Sequence, residues 1–200
     1  MSRDHVKSEK TSQYRLLPLS DANWPSEISD LKSGFAGSLN VYRTMANHPD
    51  LLRAWEEIRE HVVNQTALGL ERSEVVILRT GFQLGSSYEW LQHIKRARER
   101  GLSDHRIAAL KGALENIGPE DRVLATAVDE LFEGSSLTST TCEALARQIG
   151  KEGILDLMAT VGFYSTLGFI LNTFDTPLDN DIRTELAANP LLGTAVEHEK

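Results

Sequence analysis

Residues 74–93, EVVILRTGFQLGSSYEWLQH, constrain this chain more than any other stretch. The segment opens apolar, carries Gly81 and Gly85 in its middle, and ends in reactive side chains. On a helix each residue turns about 100°, so Ser86, Glu89 and His93 fall within about 60° of one another. Tyr88 and Trp90 flank that stripe. A hydroxyl, a carboxylate and an imidazole on one stripe of a mostly apolar helix are costly to bury without a use. In a continuous helix Glu74 points about 120° away from Ser86, and a bend at the glycines would bring it into the same pocket. The bland alternative is a solvated Glu–His pair at i, i+4, with Ser86 as a packing residue and Trp90 as a core anchor.

SEVVIL at 73–78 also suits a short buried strand. However, the run to Arg100 has no proline and no strong turn before Gly101, so helix is expected, with a break or kink near Gly81–Gly85. Helical spacing recurs along the chain. Asn40 to His48 reads as a short helix. Pro49 opens another, with Leu51, Leu52, Trp55, Ile58, Val62 and Val63 in period, and Gly69 stops it. Ser103 caps a further helix, GPE at 118–120 starts one, and 139–150 forms another. Residues 151–174 are apolar nearly all round, interrupted by Asp156 and glycines, and read as a buried helix rather than a membrane span. Its polar tips, Tyr164 and Asn172, are the ones able to line a cavity. The expected fold is all-α, a single-domain helical bundle. Residues 1–25 form a tail and arm, 26–180 the helical domain and 181–200 a second tail.

The order Glu74, Ser86, Glu89, His93 resembles the carboxymuconolactone decarboxylase family, whose alkyl hydroperoxide reductase D-type redox branch carries E-x11-C-x2-C-x3-H. NVYRTMANHPDLLRAW at 40–55 and VGFYSTLGFILNTFDTPLD at 161–179 look like the same family, so the resemblance covers roughly 35–180. It implies an AhpD-like all-α fold assembled into trimers or hexamers. It also implies that the arm runs near the pocket, and only on that ground are Tyr14, Arg15 and Trp24 ligand-contact candidates. Glu74 and His93 match that branch's Glu and His. Ser86 and Glu89 stand where the two cysteines would be, so the resemblance implies no dithiol and no thiol-peroxidase chemistry here.

The remaining chemistry is acid/base. His93, Glu74 and Glu89 are the candidate catalytic residues, because imidazole titrates near neutrality and burial raises a carboxyl's pKa. Ser86, Tyr88, Trp90, Arg43, His48 and Tyr164 are the candidate substrate contacts, and Arg79 is a second arginine for a substrate carboxylate. The expected function is a cofactor-independent lyase (decarboxylase-like) or isomerase, acting on a small organic acid, lactone or enolisable carbonyl. No cofactor and no metal are expected. The alternatives are a metal-dependent enzyme using His48, Glu74, Glu89 and His93, or a non-catalytic small-molecule-binding protein.

The charge of −8 argues against a nucleic-acid surface. KRARER at 95–100 reads as a solvated helix end, where cations suit the helix dipole. The single cysteine, Cys142, and the absence of an apolar leader in residues 1–15 suit a reducing, cytoplasmic compartment.

Overall fold

The computed structural model describes residues 15–191, and every regular element among them is helical. The centre is a hairpin. Helix α4 (Leu70–Gln83) runs into Leu84 and Gly85, and α5 (Ser87–Glu99) returns alongside it. The sequence suggests a break or a kink at the glycines; the structure has a full reversal. Gly85 takes φ +61°, in the left-handed region that a Cβ disfavours. Ser86 then starts α5 as its N-cap, accepting the Glu89 N–H at 3.5 Å, while its own N–H bonds the Gly81 carbonyl at 2.9 Å. Asn172 closes the turn by donating to the Leu84 carbonyl at 3.0 Å.

After two 3₁₀ segments, Asp21–Asn23 and Ser26–Ser33, the chain reaches the hairpin through three α-helices, α1 (Phe35–Ser38), α2 (Asn40–Met45) and α3 (Pro49–Glu60). Pro49 opens α3, as its missing N–H favours at a first helical position. Past Glu60 the helix loosens into a π-helical turn, His61–Gln65. Asp156 pins that turn, meeting the His61 Nε2 at 2.7 Å and accepting the Ala67 N–H at 2.6 Å.

After the hairpin come α6 (Asp104–Ala109), capped by Ser103, and α7 (Pro119–Gly134). Next is the long α8 (Ser139–Phe174), then α9 (Asn180–Ala188). Gly150, at φ +68°, divides α8 into two helices, where the sequence places the boundary. By length and composition α8 could cross a membrane. In the fold its Leu157, Val161, Phe163, Tyr164, Leu167 and Leu171 are buried, and it packs on α4. Gly168 is where it meets the hairpin turn, since a Cβ there would lie 2.6 Å from Leu84 Cδ1.

Two hydrophobic clusters result. One joins Val75, Val76 and Leu78 of α4 to α5, α7 and the early part of α8. The other joins Ile77 to Tyr42, Tyr88, Phe163, Tyr164 and Leu167. Helix α4 contributes to both, and the polar residues it shares with α5 lie at the seam.

The arm packs on the body of its own chain. Arg15 donates to the Phe174 and Asp175 carbonyls, and the Trp24 indole donates to Ile28. Neither reaches the seam, and Tyr14 lies outside the described residues.

Candidate active site

At the seam stands a line of ionisable side chains. The Glu74 carboxylate, fully buried on α4, meets His93 Nδ1 at 2.7 Å. A carboxylate oxygen only accepts, so Nδ1 carries the hydrogen and the neutral ring turns its Nε2 lone pair the other way. That nitrogen faces Glu89 Oε2 at 3.5 Å. On the far side, Arg100 Nη1 lies 2.7 Å from Glu74 Oε1. This contact is ionic rather than a directed hydrogen bond, since neither atom has hydrogen-bond geometry. Arg100 also donates to the Val63 carbonyl at 3.3 Å.

The hairpin explains the assembly. Glu74 does not need a bend to reach His93, because the reversal at Gly85 lays α5 antiparallel on α4. Glu89 and His93 on α5 and Arg100 at its C-cap follow at i, i+4 and i+11, within about 40° of one face. Gly81 sits under that contact, where an added Cβ would lie 3.3 Å from the Glu89 Cβ.

Glu89 and His93 look into a small cavity of about 20 Å³, walled also by Tyr42, Tyr88, Gln92, Arg96 and Tyr164. Its enclosed part has room for about one water, and the recess opens outward rather than being sealed. Tyr164 packs edge-on to the His93 ring, with centroids 5.0 Å apart. Glu89 Oε1 and Gln92 Oε1 are buried there without a hydrogen-bond partner among the described residues.

Burial sets the protonation states. It pushes the Glu89 carboxyl up to about 8, with Glu74 adding to the effect and Arg96 opposing it. Burial also lowers the His93 pKa, against the pull of Glu74. Near neutral pH the site therefore holds a neutral imidazole beside a protonated carboxylic acid. Burial raises the Tyr42 phenol to about 12 and pushes Tyr164 and Tyr88 upward as well, so all three are hydroxyls. Tyr88 donates to Asp179, whose other oxygen accepts the Asn40 N–H at 2.9 Å. This ties the start of α2 to the residue before α9 across the cavity wall.

Of the residues read from sequence, Glu74, Glu89, His93, Tyr88 and Tyr164 are brought together. The others are placed elsewhere. Arg43 is occupied by the Gly37 carbonyl at 2.8 Å, the Leu19 carbonyl at 2.6 Å and Asp21 at 2.6 Å. Arg79 forks onto Asp129 at 2.7 and 2.5 Å and also holds the Leu110 and Gly112 carbonyls. Both arginines brace backbone and neither is open to a substrate. His48 is exposed, just before α3, so it cannot complete a metal site with Glu74 and His93. Among the described residues no group of three or more His, Cys, Asp and Glu side chains could hold a metal ion. Trp90 is buried in the other cluster, with Lys111 4.4 Å above its ring. Ser86 is spent as the α5 cap.

Sequence reasoning missed Tyr42, Gln92, Arg96, Arg100 and Asp179. The KRARER run divides rather than being solvated throughout. Lys95 pairs with Glu99, and Arg98 holds Asp104 at 2.7 Å, while Arg96 and Arg100 turn inward. Their spacing of three and seven residues from His93 was a readable signal.

Residues 49–128 match the model of the carboxymuconolactone decarboxylase family, which bears out the resemblance seen in the sequence. No curated protein matches the chain. Several solved structures share the fold, among them the following three. A variant of the debrominase Bmp8, in complex with 2,3,4-tribromopyrrole, is 15% identical over 90% of this chain and 99% of its own, with TM-score 0.69. An uncharacterized peroxidase-related protein from Ralstonia eutropha JMP134, described as an alkylhydroperoxidase AhpD core, is 15% identical over 84% and 95%, with TM-score 0.68. An uncharacterized peroxidase-related protein from Silicibacter sp. TM1040 is 13% identical over 89% and 97%, with TM-score 0.71. The fold is AhpD-like.

Proposed function

Taking the chain as carboxymuconolactone decarboxylase-like over residues 49–128 and AhpD-like in fold, we propose that it is a cofactor-independent acid/base enzyme. Its substrate is a small organic acid, lactone or enolisable carbonyl, and the reaction is decarboxylation or isomerisation through an enolate. The observation that carries this reading is the buried Glu74–His93–Glu89 line, with a neutral base and a protonated acid on one cavity wall.

In isomerisation His93 Nε2 takes a proton from the carbon beside a carbonyl, and the C–H electron pair passes into the enolate. Glu74 at Nδ1 stabilises the imidazolium that forms. Glu89 delivers its proton to the far carbon, and the imidazolium returns one to the Glu89 carboxylate. In decarboxylation the C–C pair left by departing CO₂ forms the enolate, Glu89 protonates the carbon, and solvent restores the proton through His93. The one cysteine, Cys142, lies on α8 and is half-buried, so a dithiol route has no second thiol.

The reading extends to assembly as a homotrimer or hexamer in the cytoplasm. Leu155 (67% exposed), Met158 and Phe169 (60% exposed) share one face of α8 with the open Gly162, and burial against copies of the chain would cover them. A monomer by light scattering would remove that extension.

The test of function compares wild type with His93→Gln by mass spectrometry, on a panel of lactones, β-keto acids and unsaturated acids. A compound consumed by wild type alone is the expected result. Equal consumption by His93→Gln, or no consumption by either, overturns the proposal.

A further inference from the structure

Arg96 is the one residue of the cavity wall whose charge the relay leaves unused. It is half-buried, three residues after His93 and seven after Glu89, on their face of α5. Among the described residues its guanidinium makes no hydrogen bond or ion pair, in contrast to Arg43, Arg79 and Arg100. The groups around it are the hydroxyls of Tyr42 and Tyr164 and the site's own Glu74 and Glu89. Beside it, Glu89 Oε1 and Gln92 Oε1 are more than nine-tenths buried, line the same cavity and lack partners. Arg96's open fork suits a carboxylate, the protonated Glu89 carboxyl can donate a second bond to it, and the Gln92 oxygen, which only accepts, suits a hydroxyl or other donor on the same small molecule.

We infer that Arg96 is the specificity-determining residue of this site, and that it holds a substrate carboxylate that stays on the molecule through the reaction. The second half follows from transition-state logic. A guanidinium bound to a carboxylate that departs as neutral CO₂ would stabilise the ground state more than the transition state, and so would oppose the reaction. The group Arg96 holds is therefore not the one lost. That points to a small keto or unsaturated carboxylic acid, gripped at one end by Arg96, with its acidic C–H presented to His93 and Glu89. Isomerisation then needs only this one carboxylate, whereas decarboxylation needs a second one on the same molecule. What happens to the substrate rests on the acid/base reading; what binds does not.

The test uses binding, so it needs no turnover. Dissociation constants for formate and for neutral, similarly sized formamide are measured by NMR titration of the labelled full chain. Wild type is expected to bind formate at least tenfold more tightly than formamide. Arg96→Gln should cut that preference below twofold, Arg96→Lys should keep part of it, and His93→Gln should keep it. Equal affinities in wild type, or an unchanged preference in Arg96→Gln, overturns the inference, and the wild-type measurement decides it even where a variant fails to fold. If formate preference depends on Arg96 while no compound on the panel is consumed, the anion site stands and the catalytic reading falls. Turnover of neutral lactones without any formate preference gives the reverse.

Discussion

Replacing Glu89 by glutamine should make the protein more stable and much less active, by an amount that depends on pH. Glu89 is 3% exposed and burial holds its carboxyl near 8, against an ordinary value of 4.5. Between those values the native state keeps a proton that the unfolded chain has released. The stability tied to this group is thus present in full below about 4.5 and lost as pH rises through about 8. At about 1.4 kcal/mol per pK unit, the rise corresponds to about 5 kcal/mol. Internal relaxation and water entry trim this, so we expect about 2–5 kcal/mol. Glutamine keeps the shape and never ionises, so Glu89→Gln should match wild type near pH 5, exceed it increasingly up to about pH 8, and hold a level advantage above that. His93 has a lowered pKa, so its contribution has the opposite sign and is lost as pH falls below its ordinary 6.5. Both proteins share that term, and the difference between them isolates Glu89. The assay is urea unfolding of both proteins at each pH unit from 5 to 9, with kcat measured in parallel. Loss of the acid should lower kcat by about 100-fold or more. A stability difference that stays flat with pH would refute the reasoning about burial, whatever the activity.

The wild-type rate should fall above about pH 8 as Glu89 ionises, and fall on the acid side only below the ordinary histidine range, because the His93 pKa is lowered. A rate that instead rose through pH 8 would contradict the assigned acid. Tyr88→Phe removes a buried donor from Asp179 and should cost about 2 kcal/mol in chemical denaturation; an unchanged midpoint would mean that this tie is idle. Arg79→Met strips the forked partner from Asp129 and should cost about 3 kcal/mol or more, while the binding preference for formate over formamide is unaffected. A changed preference would place Arg79 near the substrate after all.

Periodicity and glycine placement made much of the frame legible: an interruption near Gly81–Gly85 (though not that it is a full reversal), the boundary at Gly150 and the start at Pro49 all appear in the structure. Glu74 and His93 were legible through the family spacing. What helical geometry cannot supply is the identity of the facing element. It grouped Ser86 with Glu89 and His93 correctly by angle, yet Ser86 faces the turn as a cap. The S-x-x-E spacing is a known helix-start signal, and reading it would have separated the two roles. The capping box is only half made here: the Ser86 N–H goes to Gly81, so the Glu89 carboxyl is left to turn toward His93. Arg43 and Arg79 looked available because a sequence does not show the carbonyls that claim a guanidinium. Arg96 and Arg100 looked solvated because a basic run at a helix end usually is. The π-helical turn at His61–Gln65 left no mark in the apolar pattern, which continues through Val62 and Val63.

The hairpin has one more implication. Glu74, Glu89, His93 and Arg100 all lie on one continuous stretch of chain, whereas the tyrosines opposite them, Tyr42 and Tyr164, come from distant parts of it. With Arg96 on the same stretch, the charged groups are inherited together and the aromatic wall separately. Point changes within the hairpin can alter its charged groups, Arg96 included, while the opposite wall stays intact. Drift in α2 or α8 can reshape the facing wall without disturbing those charged groups. A scaffold partitioned in this way can diversify along two independent axes.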